Sequence, residues 1–293
     1  MTWRTIHITK RSKLDLRMNH LIVRSEDKTT KIHLSEIDLL MIESTQVSVT
    51  TALLIELSKQ KIRIVLCDEK HNPSSEILPY YGCHDSSKKI RIQFGWKDNF
   101  KARLWKQIVY NKIFNQRALL ITKKCENYYI DLLTKYLNEI ELYDNTNREG
   151  LAAKAYFAGL FSKDFIRGEN TPINAALDYG YQILLSCFNR EIKACGYLTE
   201  VGFYHQNQHN HFNLSSDLME PFRPIVDEVV YNNSFSTFGK DEKRVMQTIL
   251  HKTVRIQNRM QLVPKAISIY TKSILDSLVI GELENIKWLQ YGL

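Results

Sequence analysis

The sequence predicts an α+β protein, in which a small N-terminal β-sheet domain precedes a larger all-α C-terminal domain. Two observations support this prediction. In the first part of the chain, short runs of β-branched and other apolar residues alternate with polar ones, as in half-buried strands. From residue 96 onward, apolar residues recur at the three- and four-residue spacing of amphipathic helices.

The N-terminal domain is expected to cover residues 1–85. One short helix is predicted within it, because Thr50 or Thr51 can cap the apolar residues that follow. Strands are predicted from β-branched and apolar runs and from period-two alternation, at residues 2–9, 14–16, 21–24, 32–34, 39–42 and 62–67.

The two patterns are separated by a stretch in which Pro79 and Gly82, with neighbouring prolines and serines, interrupt both periodicities. Residues 86–100 are predicted to form a linker and the start of a basic helix, and residues 101–293 the helical domain. The predicted helices are 96–124, 126–140, 148–163, 172–194, 215–231, 241–258 and 265–280.

Composition excludes several classes of protein. With 11 Gly and 6 Pro in 293 residues, the chain is neither collagen-like nor low in complexity. Five cysteines without a Cys-x-x-Cys spacing favour reduced thiols over a disulfide framework or a zinc ribbon. No apolar run approaches the roughly 18 residues of a membrane span, and the N-terminus lacks an apolar signal core. A soluble, cytoplasmic protein that does not use a membrane is therefore expected.

Positive charge is concentrated in one segment of a basic chain, whose net charge is +8. Between Lys88 and Lys124 there are eleven basic residues and one acid. A solvated helix face is the usual interpretation of a charge run, but charge this one-sided favours a polyanionic partner bound through its phosphates. The residues selected for DNA contact are Lys88, Lys89, Arg91, Arg103 and Lys106.

Glu149 is the first candidate for chemistry. If a helix begins near this residue, Ala152 and Tyr156 share its face, so the carboxylate points inward. A buried carboxylate requires a compensating cation or metal. The more frequent alternative is an acid at a helix N-terminus, stabilised by the helix dipole and paired with Arg148 or another basic group.

Two acids and a histidine-rich tract follow. Asp217 and Glu220 are three residues apart at a predicted helix start, which suits cation coordination but also ordinary capping. His205 follows a Gly-Phe-Tyr run that could hold it against the core, whereas His209 and His211 are interpreted as solvated loop residues. A glutamate, a histidine and a further acid form a mixed oxygen and nitrogen ligand set that favours Mg²⁺ or Mn²⁺. Beside a polyanion-binding surface, such a site indicates phosphoryl transfer on nucleic acid.

Three stretches in this order resemble a known family. They are NREG at 147–150, GFYH at 202–205 and DLMEPFRP at 217–224. Together they are similar to the CRISPR-associated integrases, which capture foreign DNA fragments as spacers, and the chain looks most like the form found in type II systems. The resemblance implies an N-terminal β domain, a C-terminal helical domain and a fragment 3′-hydroxyl that attacks the edge of a repeat.

The resemblance also implies site residues and partners. Glu149, His205 and Glu220 would be the catalytic metal ligands, although many members have Asp at the last position, and Asp217 and Arg223 would support them. The implied partners are double-stranded DNA with exposed 3′ ends, CRISPR repeat DNA, a second copy of the chain joined through the β domains, and a smaller companion protein between two such dimers. In type II systems the effector nuclease joins them.

Two other functions are compatible with parts of the sequence. A non-catalytic nucleic-acid-binding scaffold or regulator would explain the basic charge equally well, although it gives no reason for the set of two acids and a histidine. A zinc hydrolase would use His205, His209 and His211, because the first two have a spacing used by zinc ligands on helices.

Overall fold

The structure is a computed structural model that describes residues 4–69, 71, 73–77 and 83–290. It divides into two compact units, Met1–His84 and Asp85–Leu293. Pro79 and Gly82, which were predicted to lie in the connector, are outside the described residues. The predicted fold class is confirmed, because a β-sheet region precedes a mostly helical part.

Within its described residues, the N-terminal unit contains two four-stranded sheets and one α-helix. In chain order its elements are β1 (Arg4–Ile8), β2 (Ser12–Arg17), β3 (His20–Arg24), β4 (Thr29–His33), β5 (Ile37–Ile42), β6 (Val47–Val49), α1 (Thr51–Lys59), β7 (Arg63–Cys67) and β8 (Pro73–Ile77). The strand orders are β1-β5-β7-β8 and β4-β3-β2-β6. In the first sheet, β5 pairs in parallel with both β1 and β7.

The core of this unit contains residues from both sheets and from α1. Leu14 and Leu21 come from one sheet, Leu40 from the other and Leu53 from the helix, and none of them is exposed. The alternation in the sequence explains this arrangement, because side chains in a strand point to opposite faces in turn and only one set enters the core.

The C-terminal unit begins with a helix in the segment predicted as a linker and the start of a basic helix. In chain order its elements are α2 (Ser86–Phe94), α3 (Asp98–Thr122), α4 (Asn127–Asn138), α5 (Arg148–Leu160), α6 (Pro172–Ala194), α7 (Asn213–Met219), α8 (Arg223–Asn233), α9 (Lys240–Gln247), β9 (Thr253–Ile256), β10 (Arg259–Leu262), α10 (Val263–Ile280) and β11 (Leu289–Gln290). The three strands form a small sheet in the order β10-β9-β11.

Two predicted helices differ from the structure. The helix predicted at 241–258 ends at Gln247 because Thr253–Ile256 is a β-branched, alternating run, and Gln257 and Asn258 adopt left-handed conformations that close a hairpin. The helix predicted at 215–231 is divided into α7 and α8 by a 3₁₀ turn at Glu220–Phe222.

Helix α3 supplies much of the interior of the C-terminal unit. Leu104, Trp105, Ile108 and Ile113 are fully buried along it. The helix packs against α4, α5 and α8 and against the 3₁₀ turn between α7 and α8. It therefore reaches both segments that carry the predicted acidic ligands. Among the described residues, no helix combines the length and the apolar character that crossing a membrane requires.

Candidate active site

Glu149 is positioned by a tight turn before α5. The carboxylate of Asp144 accepts the backbone N–H groups of Arg148 and Glu149, each at 2.8 Å, and so caps the helix. Asn147 is left-handed, with φ of 51°. A Cβ on Gly150 would come within 2.6 Å of the Asn147 Oδ1, so a larger residue there would displace the Asn147 side chain.

The partner of Glu149 is Lys112 on α3, not the neighbouring Arg148. The Lys112 Nζ lies 2.6 Å from the Glu149 Oε1 and 2.6 Å from the Glu220 Oε2. Lys112 is only 8% exposed, so a single buried ammonium links the two carboxylates. Burial lowers the pKa of Lys112, but the charges of Glu149 and Glu220 outweigh burial and raise that pKa above its usual value.

Glu220 occupies the 3₁₀ turn and has two basic partners. Its Oε2 accepts from the Arg223 Nε at 2.8 Å as well as from Lys112. Burial favours the neutral acid, but the charges of Arg223 and Lys112 and their hydrogen bonds lower the pKa of Glu220 well below its usual range. The carboxylate is therefore ionised at neutral pH, as a metal ligand must be.

His205 is held by Asp217, which is fully buried in α7. Asp217 accepts the backbone N–H groups of Phe203, Tyr204 and His205 at 2.8, 3.1 and 2.9 Å. It also lies 2.6 Å from the His205 Nδ1. Because these four contacts use the Asp217 carboxylate, its role is to orient the imidazole through Nδ1, and Nε2 is left for a ligand.

The electrostatic environment of His205 follows from these contacts. Burial lowers the pKa of the imidazole, but the hydrogen bond and charge of Asp217, with the charges of Glu220 and Glu149, raise that pKa above its usual value. The charges of both glutamates therefore act on the imidazole. Trp105 of α3 packs edge-on against the ring, with the centroids 5.7 Å apart.

A buried cluster of two tyrosines and an acid lies next to Arg223. The guanidinium lies over the Tyr181 ring, 4.6 Å from its centroid. The hydroxyls of Tyr156 and Tyr181 donate to Asp227, at 2.8 and 2.5 Å. Burial raises the pKa of Asp227 to about 6, although both hydroxyls and Arg223 oppose the shift.

A cleft of about 450 Å³ opens beside His205. It is lined by residues of the loop between α6 and α7, including Glu200 and several amide side chains, together with Lys101 and the exposed Phe94. Lys101 and Glu200 carry opposite charges, so the lining is polar without favouring one sign of charge. The cleft gives a polar ligand access to the imidazole.

The three predicted metal ligands are not equally close to one another in the structure. Glu149 and Glu220 meet at one ammonium, and the charges of both glutamates act on His205. The donor atoms of the three side chains do not all fall within 4.8 Å of one another in the part of the chain that the structure describes. His209 and His211 form no such group with His205 among the same residues, so the zinc-hydrolase geometry is not observed.

The donor set fits a divalent metal ion. Two carboxylates already share a cation, and an imidazole with one nitrogen fixed by a carboxylate offers the other. Oxygen and imidazole donors without a thiolate suit Mg²⁺ or Mn²⁺. Glu149, Glu220 and His205 would hold the ion, with Asp217 and Arg223 orienting His205 and Glu220.

More of the positive charge in the basic segment between Lys88 and Lys124 is paired with acidic residues than the sequence indicates. Four of its lysines form ion pairs. Lys89 pairs with Asp85 and Lys101 with Asp98. Lys112 pairs with the two site glutamates, and Lys123 pairs with Glu228. Among the residues selected for DNA contact, Lys88, Arg91, Arg103 and Lys106 have no ion pair to another described residue, and Lys106 alone of these is half-buried. These four remain available to a polyanion.

Lys112 was not recognised from sequence as a site residue and was counted among the surface cations. A signal was present: Trp105, Ile108 and Leu119 lie on the same helical face as Lys112 and are buried. A lysine on an inward face needs an acidic partner, and the nearest candidates in space come from distant segments.

Comparison with known proteins identifies a matching family and a similar relative. The family described as "CRISPR associated protein Cas1" matches residues 6–255. A CRISPR-associated endonuclease Cas1 of Neisseria meningitidis serogroup C (strain 8013) is 33% identical over 230 residues, which cover 78% of this chain and 75% of that protein.

Two solved structures share the fold. A casposase bound to integration product has a TM-score of 0.74 and 18% identity, covering 97% of this chain and 92% of its own. A Cas1 protein from Thermotoga maritima also has a TM-score of 0.74 and 18% identity, covering 96% of this chain and 98% of its own.

Proposed function

This chain belongs to the Cas1 family of CRISPR-associated proteins, and on that premise we propose that it is a metal-dependent DNA endonuclease and integrase. It inserts short foreign DNA fragments as spacers into a CRISPR array. The observation that supports this most is the convergence of Glu149 and Glu220 on one cation, beside a histidine oriented by a buried carboxylate.

The reaction is a transesterification. A fragment's 3′-oxygen forms a bond to the phosphorus at the edge of a repeat, and the bond from that phosphorus to the repeat strand's own 3′-oxygen breaks. The attacking hydroxyl loses a proton and the departing oxygen gains one, so a new 3′-hydroxyl remains on the displaced strand. A water in place of the fragment's hydroxyl gives hydrolysis at the same site.

The chain's own residues prepare this reaction. Asp217 holds the imidazole of His205 so that its second nitrogen faces a ligand. Arg223 and Lys112 keep Glu220 ionised. A bound Mg²⁺ or Mn²⁺ supplies Lewis acidity toward the attacked phosphate and the departing oxygen. Positioning and electrostatics provide most of the acceleration in phosphoryl chemistry, so no covalent protein nucleophile is required.

The partners follow from the family and from charge. We expect a duplex fragment with 3′ ends and CRISPR repeat DNA as substrates, contacted by Lys88, Arg91, Arg103 and Lys106. A homodimer formed through the β domains, with a small companion protein between two dimers, is the expected assembly. Structures that share this fold include a Cas6-RT-Cas1–Cas2 complex and the casposase with its product, which is consistent with such partners. The type II effector nuclease stays a further expected partner.

A strand-transfer assay tests the proposal. Labelled duplex with free 3′-hydroxyls is incubated with a supercoiled plasmid that carries the repeat array, the companion protein and Mg²⁺ or Mn²⁺. We expect joined product from the wild-type protein and its loss in Glu149→Gln, His205→Ala and Glu220→Gln. DNA binding and the melting temperature are measured in parallel to show that each variant is folded.

Two controls make the result interpretable. His209→Ala lies in the same loop outside the proposed ligand set and should retain activity. A fragment with 3′-dideoxy ends lacks the nucleophile and should give no joined product. Full joining by all three site variants would contradict the site, and DNA binding without joining or nicking by the wild-type protein would favour the alternative of a non-catalytic scaffold.

A further inference from the structure

Lys112 occupies an unusual position for a lysine. It lies at the middle of α3, is 8% exposed, and has its ammonium between two carboxylates of other segments. Its neighbour Arg223 bears a second positive charge on the same Glu220 oxygen. Taking a lysine out of water is costly, so this placement requires the two acids.

The ammonium and a divalent ion would use the same two carboxylate oxygens. Both carboxylate oxygens lie 2.6 Å from the Lys112 Nζ. Metal–oxygen distances are about 2.1 Å for Mg²⁺ and up to about 2.6 Å for larger divalent ions. An ion bonded to either oxygen would therefore lie no more than about 5 Å from the nitrogen, so the two cations would compete for the carboxylates and repel each other.

We propose that Lys112 and the divalent ion are alternative counterions of one carboxylate pair. Lys112 keeps Glu149 and Glu220 together when no metal is bound, and it withdraws when the ion binds. This inference rests on the proposed function, because it takes Glu149 and Glu220 as ligands. Lys112 is thus a positioning residue that lowers the metal affinity of the site and keeps the site assembled.

The flexible side chain makes this exchange feasible. Lysine carries its charge on a four-carbon stem with several rotatable bonds, so its ammonium can shift by a few ångströms without movement of the helix. Arg223 is less free to move, because the Tyr181 ring and Glu220 both hold its guanidinium. The exchange therefore concerns Lys112 and leaves Arg223 on Glu220.

The first test measures Mn²⁺ affinity in the absence of DNA, from the electron paramagnetic resonance signal of free Mn²⁺. Lys112→Met removes the competing charge and keeps an apolar stem of similar length. We expect Mn²⁺ to bind this variant roughly tenfold or more tightly than it binds the wild-type protein. The matched control is Lys123→Met at the C-terminal end of α3, which breaks an ion pair with Glu228 and should leave Mn²⁺ affinity unchanged.

The second test measures thermal unfolding with and without Mn²⁺. Without Lys112 the two carboxylates repel each other, so Lys112→Met should melt at a lower temperature than the wild-type protein in metal-free buffer. Saturating Mn²⁺ should raise its melting temperature by more than it raises that of the wild-type protein. Equal increments in the two proteins would overturn the inference.

A third measurement needs no stable Lys112→Met protein. In wild-type protein with ¹³C-labelled lysine side chains, the Lys112 signal is identified by its absence in Lys112→Arg. Saturating Mg²⁺ should shift this signal and leave that of Lys123 in place. A Lys112 signal that does not respond, while Mg²⁺ binds at Glu149, would overturn the inference.

Glu149→Gln separates the two possible failures. If this variant binds Mn²⁺ as tightly as the wild-type protein, the ligand set of the proposed function is wrong. If Glu149→Gln abolishes Mn²⁺ binding while Lys112→Met binds no more tightly than the wild-type protein, the ligand set stands and only the exchange is contradicted.

Discussion

Asp217 holds both the backbone of the His205 loop and the His205 side chain in place. It accepts three backbone N–H groups of the loop that carries His205 and contacts the imidazole itself. Burial raises the pKa of this carboxyl, whereas the hydrogen bonds from His205 lower it. The same group therefore organises the loop and selects the nitrogen of His205 that is offered to a ligand.

Asp217→Asn tests this role. The amide has the size of the carboxylate but replaces one acceptor oxygen with a donor, so at least one backbone N–H or the imidazole loses its partner. We expect metal affinity and strand transfer to fall by about 10- to 100-fold, with a loss of roughly 1–3 kcal/mol in the free energy of unfolding. Asp178→Asn, at an exposed ion pair with Arg167, is the matched control. Wild-type metal affinity in Asp217→Asn would contradict the role.

Asp227 gives a prediction about pH. Its pKa in the folded protein is about 6, above the usual value, so between about pH 4 and 6 the folded protein holds a proton that the unfolded chain has released. This group therefore makes the protein less stable as pH rises through that window and contributes a constant penalty above it.

The measurement compares thermal unfolding of the wild-type protein and Asp227→Asn from pH 4 to 8. The stability of the wild-type protein relative to the variant should fall by on the order of 2 kcal/mol between pH 4 and 6 and then stay level. A difference that does not depend on pH in this range would show that Asp227 titrates in the folded protein as it does in the unfolded chain.

At the scale of elements, short irregular segments determine the geometry of the site. The loop from Gly202 to His205 wraps around Asp217, and a Cβ on Gly202 would lie 2.6 Å from the His205 carbonyl oxygen and 2.7 Å from the Asp217 Oδ2. The Asp217 Oδ2 cannot move away without lengthening its hydrogen bonds from the backbone N–H groups of Phe203 and Tyr204. The glycine is therefore required by close approach of the backbone.

Gly202→Ala should consequently displace His205. We expect a loss of about 1–3 kcal/mol in the free energy of unfolding and a decrease in strand transfer that exceeds the decrease in DNA binding. Gly95→Ala is the matched control, because a Cβ there meets its nearest atom at 3.5 Å, an ordinary contact. If both variants integrate like the wild-type protein, the loop tolerates the methyl group and the argument from close approach fails.

The sequence allowed prediction of elements better than of contacts between them. Helix α6 begins and ends where its periodicity indicated, because Thr171 caps it and Pro172 fits its first turn. The inward position of Glu149 was also visible in its helical spacing. The cation that pairs with Glu149 could not be predicted, because Lys112 is 37 residues away on another helix and the pairing depends on how α3 and α5 pack.

Local rules also competed with periodicity. The hairpin of β9 and β10 lies where the end of a helix was predicted. The prediction extended the helical spacing of apolar residues through a four-residue stretch whose alternation is typical of a strand. The inference that the basic segment lacks compensating acids came from counting charges along the chain, whereas Lys101 and Lys123 find acids one turn away and on another helix.

At the scale of the whole molecule, DNA binding should depend on the basic residues that lack acidic partners. Replacing Lys88, Arg91, Arg103 and Lys106 together by alanine removes four charges from α2 and α3. The slope of log affinity against log salt should become shallower by about 0.9 for each phosphate contact that is lost. Lys123→Ala, which removes a cation already paired with Glu228, should leave the slope unchanged. An unaltered slope in the fourfold variant would place the DNA path elsewhere.

The most direct test of the account is the anomalous scattering of Mn²⁺ in a crystal of the protein. We predict one strong peak bonded to the carboxylates of Glu149 and Glu220 and to the Nε2 of His205, with Asp217 still on the Nδ1. A crystal in which Mn²⁺ binds elsewhere, while Lys112 keeps its contacts with both glutamates at saturating metal, would contradict the proposed active site.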